Sequence, residues 1–148
     1  MNPSQSSSVQ FGIMVLRVSL GVMWISHALL KLFAFTLPGT ARFFVTVGFP
    51  GFLACPVFAA ELLGGIALLL GVYAYQAALA LVSVMAAAGW VHLPNGWLHT
   101  NAGGGWEYPA FLIAASIALR LLGNGAAAPK RSSLLIPNRV LPNLVGDK

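Results

Sequence analysis

Four apolar runs, separated by stretches rich in glycine and proline, organise the sequence. The first extends from about Phe11 to Phe35, and at 1.5 Å per residue a helix of that length crosses about 30 Å of hydrocarbon. The second covers roughly Leu53 to Tyr73, the third Tyr75 to Leu93, and the fourth, which is short, Glu107 to Leu122. Between the first two, Pro38, Gly39, Gly48, Pro50 and Gly51 interrupt regular structure, and the apolar, aromatic piece Ala41–Val47 fits a short interfacial helix. Pro56 suits a first helical turn, where its missing N–H costs little. Pro94, Asn95, Gly96 and the run Gly103-Gly104-Gly105 mark a loop, and Gly123 and Gly125 end the last run.

These runs predict an all-α fold: an integral-membrane four-helix up-down-up-down bundle with a short interfacial helix between its first two spans. Long continuous apolar runs lack the alternation of a membrane β-barrel. Small residues in the second and third runs, Gly64, Gly65, Gly71 and Ala86–Gly89, favour close helix contact. Three parts follow: a polar cytoplasmic N-terminus over 1–10, the transmembrane domain over 11–125 and a flexible cytoplasmic tail over 126–148. The first ten residues carry no basic charge, so the first run reads as a retained span and not a cleaved signal.

Composition strengthens this picture. Of the 148 residues 58% are hydrophobic and 7% charged, against about 25% charged in an average soluble domain. The lipid bilayer is therefore the expected solvent. The net charge of +5 comes from scattered basic residues, which argues against nucleic-acid binding. Lys130, Arg131, Arg139 and Lys148 lie in the tail and Arg120 just before it, so the positive-inside rule places both termini in the cytoplasm. The expected location is the bacterial cytoplasmic (inner) membrane, crossed several times. Arg17 and Arg120, near the cytoplasmic ends of their spans, are expected to reach out to lipid headgroups. Cys55 is the only cysteine, so neither an internal disulfide nor a Cys-x-x-Cys redox pair is available.

Up-down topology gathers the unusual polar residues at the outer end. They are His27 and Lys31, one helical turn apart, with Glu61, His92, Asn95, His99 and Glu107. A carboxylate about five residues inside the second span is expensive unless it is paired, protonated or facing a wet cavity. Lys31 and His92 are the candidate partners of Glu61, with His27 close by. Two readings stay open: a buried ionic lock that holds the helices together, or a polar pocket for a ligand, a proton path or a redox partner. Haem ligation by His27 and His92 is a weak alternative, because no further motif accompanies the pair. No metal site is expected. His99 reads as a solvated loop residue, and Trp90, Trp97, Trp106 and Tyr108 as an interfacial aromatic belt.

Six short stretches occur in order along the chain: Leu16-Arg17 with Leu20-Gly21; His27-Ala28-Leu29-Leu30-Lys31-Leu32-Phe33; Gly48-Phe49-Pro50; Glu61-Leu62-Leu63-Gly64-Gly65 with Gly71; Val91 through Trp97; and Gly104 through Pro109. Together they resemble the DoxX family of small four-helix membrane proteins, over about Gly12 to Gly125. Ala28 stands where the common pattern has glycine. The resemblance implies a subunit of an oxidoreductase system, with a polar cluster of His27, Lys31, Glu61, His92, Asn95 and Glu107. On that basis the leading expectation is a membrane redox subunit that binds a quinone or similar small apolar molecule. His92, Glu61 and Lys31 would exchange protons and hydrogen bonds with the quinone oxygens. His27, Asn95, Glu107, Trp97 and Tyr108 would line the ligand site. A soluble redox partner would supply electrons, and a homo-oligomer is an alternative association. The competing class is a non-catalytic scaffold or assembly factor. A transporter fits less well, because one four-helix chain leaves little room for alternating access.

Overall fold

The computed structural model describes residues 3–129, with side chains from residue 6 onward. Lys130, Arg131, Arg139 and Lys148, on which the orientation argument rests, lie outside the described residues, as does most of the expected tail. Five α-helices and no strands are present among the described residues. They are α1 (Pro3–Leu29), α2 (Leu37–Thr46), α3 (Ala54–Leu70), α4 (Ala74–His92) and α5 (Glu107–Leu122).

Helix α1 begins well before the apolar run. Pro3 occupies the first helical position, where a missing N–H is harmless. The Ser and Gln residues that follow contain no breaker, so the helix continues through a polar first section, exposed over residues 6–10. Residues 3–10 therefore belong to α1. At its other end α1 widens into one π turn, Leu30–Ala34, closed by the Phe35 N–H donating to the Leu30 carbonyl at 2.9 Å. Helix α2 also starts earlier than the expected Ala41. Pro38 fits its first turn, and the Thr36 hydroxyl accepts the Gly39 N–H at 3.2 Å as an N-cap.

Contacts between helices fix their directions. Arg17 meets the carbonyls of Leu68 and Leu69, Gly21 lies against Gly65 and Leu69, and Lys31 meets Glu61. Numbers rise along α1 as they fall along α3, so the two run antiparallel. A Cβ on Gly21 would lie 2.8 Å from the Leu69 nitrogen, and one on Gly65 would lie 2.9 Å from the Ile25 nitrogen. The backbones approach this closely only because both residues are glycine. Helix α4 packs on α5 in the same antiparallel sense, with Gly89 beside Pro109 and Tyr75 beside Arg120 and Gly123. The buried core between the helices includes Leu20, Trp24, Leu68, Leu81, Met85, Leu112 and Leu119.

Large apolar side chains also cover much of the outside. Phe11, Leu63, Leu70, Leu79, Phe111 and Leu121 are all more than half exposed. A soluble monomer rarely shows so continuous an apolar surface. Segments 6–34, 51–70 and 74–95 are long and apolar enough to cross a membrane. Helix α5, with 16 residues, reaches only about 24 Å.

Two arginines depart from expectation. Arg17 does not reach out to headgroups; it is 1% exposed. Its guanidinium donates to the carbonyls of Leu68 (2.7 Å), Leu69 (3.0 Å), Asn124 (2.9 Å) and Ala126 (3.2 Å). The last carbonyls of a helix have no partner within it and carry the negative end of its dipole. Arg17 supplies both the hydrogen bonds and the opposite charge at the C-terminus of α3, and ties the segment after α5 to it. Gly71 ends α3 in the left-handed conformation (φ 71°), and any Cβ there would strike the Arg17 guanidinium. Arg120 likewise turns inward, its guanidinium 5.2 Å from the centre of the Tyr75 ring.

Candidate functional site

The end of α1, the start of α3, the end of α4 and the start of α5 carry three polar groupings. The most deeply set is an ion pair. The Lys31 ammonium donates to both carboxylate oxygens of Glu61, each at 2.8 Å. Glu61 is 3% exposed, whereas 17% of the Lys31 side chain remains accessible. Side chains on a helix tilt toward its N-terminus. Glu61, about two turns into α3, therefore leans toward the loop end, while Lys31, in the π turn that follows α1, leans back from it, and the two converge. Lys31 lies within the π turn, a distortion that frequently marks functional sites because it redirects side chains.

The second grouping is aromatic. The His27 ring stacks on Tyr108 of α5 with centroids 5.8 Å apart and planes at 20°, and lies 6.5 Å from the Trp24 ring. The His27 Nδ1–H donates to the Met23 carbonyl at 2.9 Å. The Tyr108 hydroxyl contacts the Met23 sulfur at 3.7 Å, and the buried Trp24 Nε1–H has no hydrogen-bond partner.

The third is the loop between α4 and α5. His92 Nδ1 lies 3.0 and 3.1 Å from the carbonyls of Gly103 and Gly104, and the Asn95 amide donates to the same two oxygens at 3.0 and 2.8 Å. Carbonyls only accept, so His92 Nδ1 carries a proton. A neutral His92 then offers only its Nε2 lone pair to anything else. The Asn101 amide donates to the Asn95 carbonyl, and Trp106 and Glu107 N–H groups donate back to Gly96 and Trp97. This closure brings Glu107 to His99, which the sequence reading treated as merely solvated. One Glu107 oxygen lies 2.6 Å from His99 Nδ1 and 2.7 Å from the His99 backbone nitrogen. Trp97 meets the edge of Trp106 at 4.4 Å. A shallow open depression of about 770 Å³ is lined by Trp97, His99, Glu107, Tyr108, Ala110 and Phe111.

The predicted residues thus separate into pairs and do not form one cluster. Lys31 takes Glu61, His27 takes Tyr108, His92 and Asn95 share the glycine carbonyls, and Glu107 takes His99. Of the two candidate partners for Glu61, Lys31 is the one bound to it, while His92 is turned to its own loop. Among the described residues, no three His, Cys, Asp or Glu side chains gather as a metal-binding group. Sequence reasoning missed Trp24 and the His99–Glu107 contact. The eight-residue separation of the latter pair carries no helical signal; only the loop's hydrogen bonds join them.

Apolar helices with lipid-type surfaces and a few paired ionisable groups inside define a helical membrane protein. The profile described as DoxX matches residues 12–93, more than half of the chain, and the chain belongs to the DoxX family. His27, Lys31, Glu61 and His92 fall inside the matched region; the loop residues and α5 fall outside it. The chain is 35% identical over 66 residues to a Bacillus subtilis (strain 168) protein described as "Putative oxidoreductase CatD". That match covers 45% of this chain and 48% of the other, so it spans about half the length of the curated relative. No solved structure matches.

Proposed function

We propose that the chain is the membrane subunit of a redox system and binds a quinone or similar small apolar molecule at the outer end of its helices. On this reading α1, α3, α4 and α5 cross the bacterial inner membrane as an up-down-up-down bundle. Helix α2 lies at the outer surface and both termini are cytoplasmic. Family membership and the name of the Bacillus relative support a redox-associated membrane protein.

One observation carries the ligand reading: the ammonium of Lys31. It has three N–H donors, and its contacts to Glu61 use at most two. The remaining donor belongs to a side chain that is still partly accessible. Quinone oxygens are acceptors, and a donor in a partly dry site holds them more strongly than one in water. Glu61 keeps the ammonium in place. His92, with Nδ1–H held by the loop, exchanges protons through Nε2. A soluble redox partner supplies the electrons.

The ionic-lock reading has an observation of its own. Glu61 is almost wholly buried with both oxygens engaged, as a structural pair would be. A titration of a soluble quinone analogue against the protein in nanodiscs separates the two readings. Saturable binding by the wild type that weakens about tenfold or more in folded Lys31→Ala and His92→Ala is the redox outcome, whatever stability Lys31→Ala loses by leaving Glu61 unpaired. No binding by the wild type, with large melting losses in both variants, is the scaffold outcome.

A further inference from the structure

The His99–Glu107 contact sits at the rim of the open depression and plays no part in the reading built on Lys31. A carboxylate only accepts hydrogen bonds, so His99 Nδ1, 2.6 Å from Glu107, must carry the proton. The tautomer is thereby set: in the neutral ring Nε2 is an unprotonated acceptor. Glu107 is itself held by the His99 backbone N–H and by its own N–H to the Trp97 carbonyl, so the ring is positioned from two directions. The His99 side chain is 70% exposed, and the depression beside it is open.

The depression beside it has aromatic walls. Trp97 is fixed by its edge contact with Trp106, and Tyr108 by its stack on His27. Phe111 is 67% exposed and completes the lining with Ala110. Flat aromatic surfaces favour a flat ring, and a lone pair at the rim favours a ligand that donates from the ring's edge. An aliphatic ligand would forgo the ring contacts, and a quinone, which only accepts, would face a lone pair.

We propose that this depression is a binding site for a phenol or hydroquinone ring, whose hydroxyl donates to His99 Nε2 while the ring lies against Trp97, Tyr108 and Phe111. His99 is the binding residue that recognises the hydroxyl, and Glu107 is a positioning residue that holds the tautomer. The site is distinct from Lys31 and Glu61, neither of which lines it.

The test compares hydroquinone with 1,4-dimethoxybenzene, which keeps the ring and loses both O–H donors. Both are titrated by calorimetry against wild type, His99→Ala, His99→Gln, Glu107→Ala and Lys31→Ala in nanodiscs. Wild type is expected to bind hydroquinone about fivefold to tenfold more tightly than the ether, the worth of one net hydrogen bond. His99→Ala brings the ratio to about one. His99→Gln restores part of it through its amide oxygen, and Glu107→Ala lowers it without abolishing ring binding. Lys31→Ala leaves it unchanged. A ratio that survives His99→Ala, or failure of the wild type to bind hydroquinone, overturns the proposal. Loss of the preference in Lys31→Ala but not in His99→Ala would move the ligand to the Lys31–Glu61 pair and overturn it equally. Quinone binding in the Lys31 experiment is scored separately, so either reading can fail alone.

Discussion

Two buried charges show how neighbouring groups decide what a charged side chain does in an apolar interior. Glu61 is balanced by a cation and Arg17 by carbonyl dipoles, and both arrangements avoid a lone ion in low dielectric. Glu61→Leu leaves the Lys31 ammonium without its partner, and a loss of about 3–5 kcal/mol in unfolding free energy is expected. Glu61→Gln should cost less, because the amide oxygen still accepts from Lys31. Unfolding of both variants in detergent micelles measures the difference. Equal, negligible losses would place Glu61 in water or headgroups. The partner of Glu61 was narrowed by the sequence to Lys31 or His92. Arg17 was misread because no local pattern reveals that its reach ends on carbonyls of α3 and of the segment after α5, more than fifty residues away.

At the scale of the helices, the α1–α3 crossing sets the separation that lets Lys31 meet Glu61. Gly21→Ala would press a methyl group into the backbone of Leu69 and Gly65. Overpacking against backbone typically costs about 1–3 kcal/mol. Gly12, on the same helix, has nothing within 4 Å of its absent Cβ. Gly12→Ala should be neutral or stabilising by up to about 1 kcal/mol, because alanine is the better helix former. Paired melting curves test the contrast, and equal effects would remove the crossing as a determinant. The apolar helices were legible because lipid demands long uninterrupted runs, and α3, α4 and α5 fall within a few residues of the expected bounds. The start of α1 was not, because Ser and Gln are read as loop residues when no apolar stripe accompanies them. The π turn leaves no mark in composition. The His99–Glu107 contact depends on the folding of an irregular loop, which periodicity does not describe.

For the whole molecule, the described residues bring the polar pairs to one end and the Arg17 carbonyl cradle to the other. The proposed orientation makes the first end the outer one. With Cys55 replaced by alanine, single cysteines at Gly103 and Ser132 report the sidedness through a membrane-impermeant thiol reagent applied to intact cells. Labelling at 103 and protection at 132 are expected; the reverse pattern would invert the protein and move the ligand site to the cytoplasmic surface. The central claim, a quinone oxygen held by Lys31, is tested most directly by the infrared spectrum of a quinone analogue labelled with ¹³C at one carbonyl and bound in nanodiscs. A hydrogen bond from an ammonium weakens the C=O bond. The account predicts a bound carbonyl band shifted to lower frequency in the wild type, and that shifted band lost in Lys31→Ala. A bound carbonyl at the frequency seen in lipid alone, or a shifted band that persists in Lys31→Ala, would contradict it.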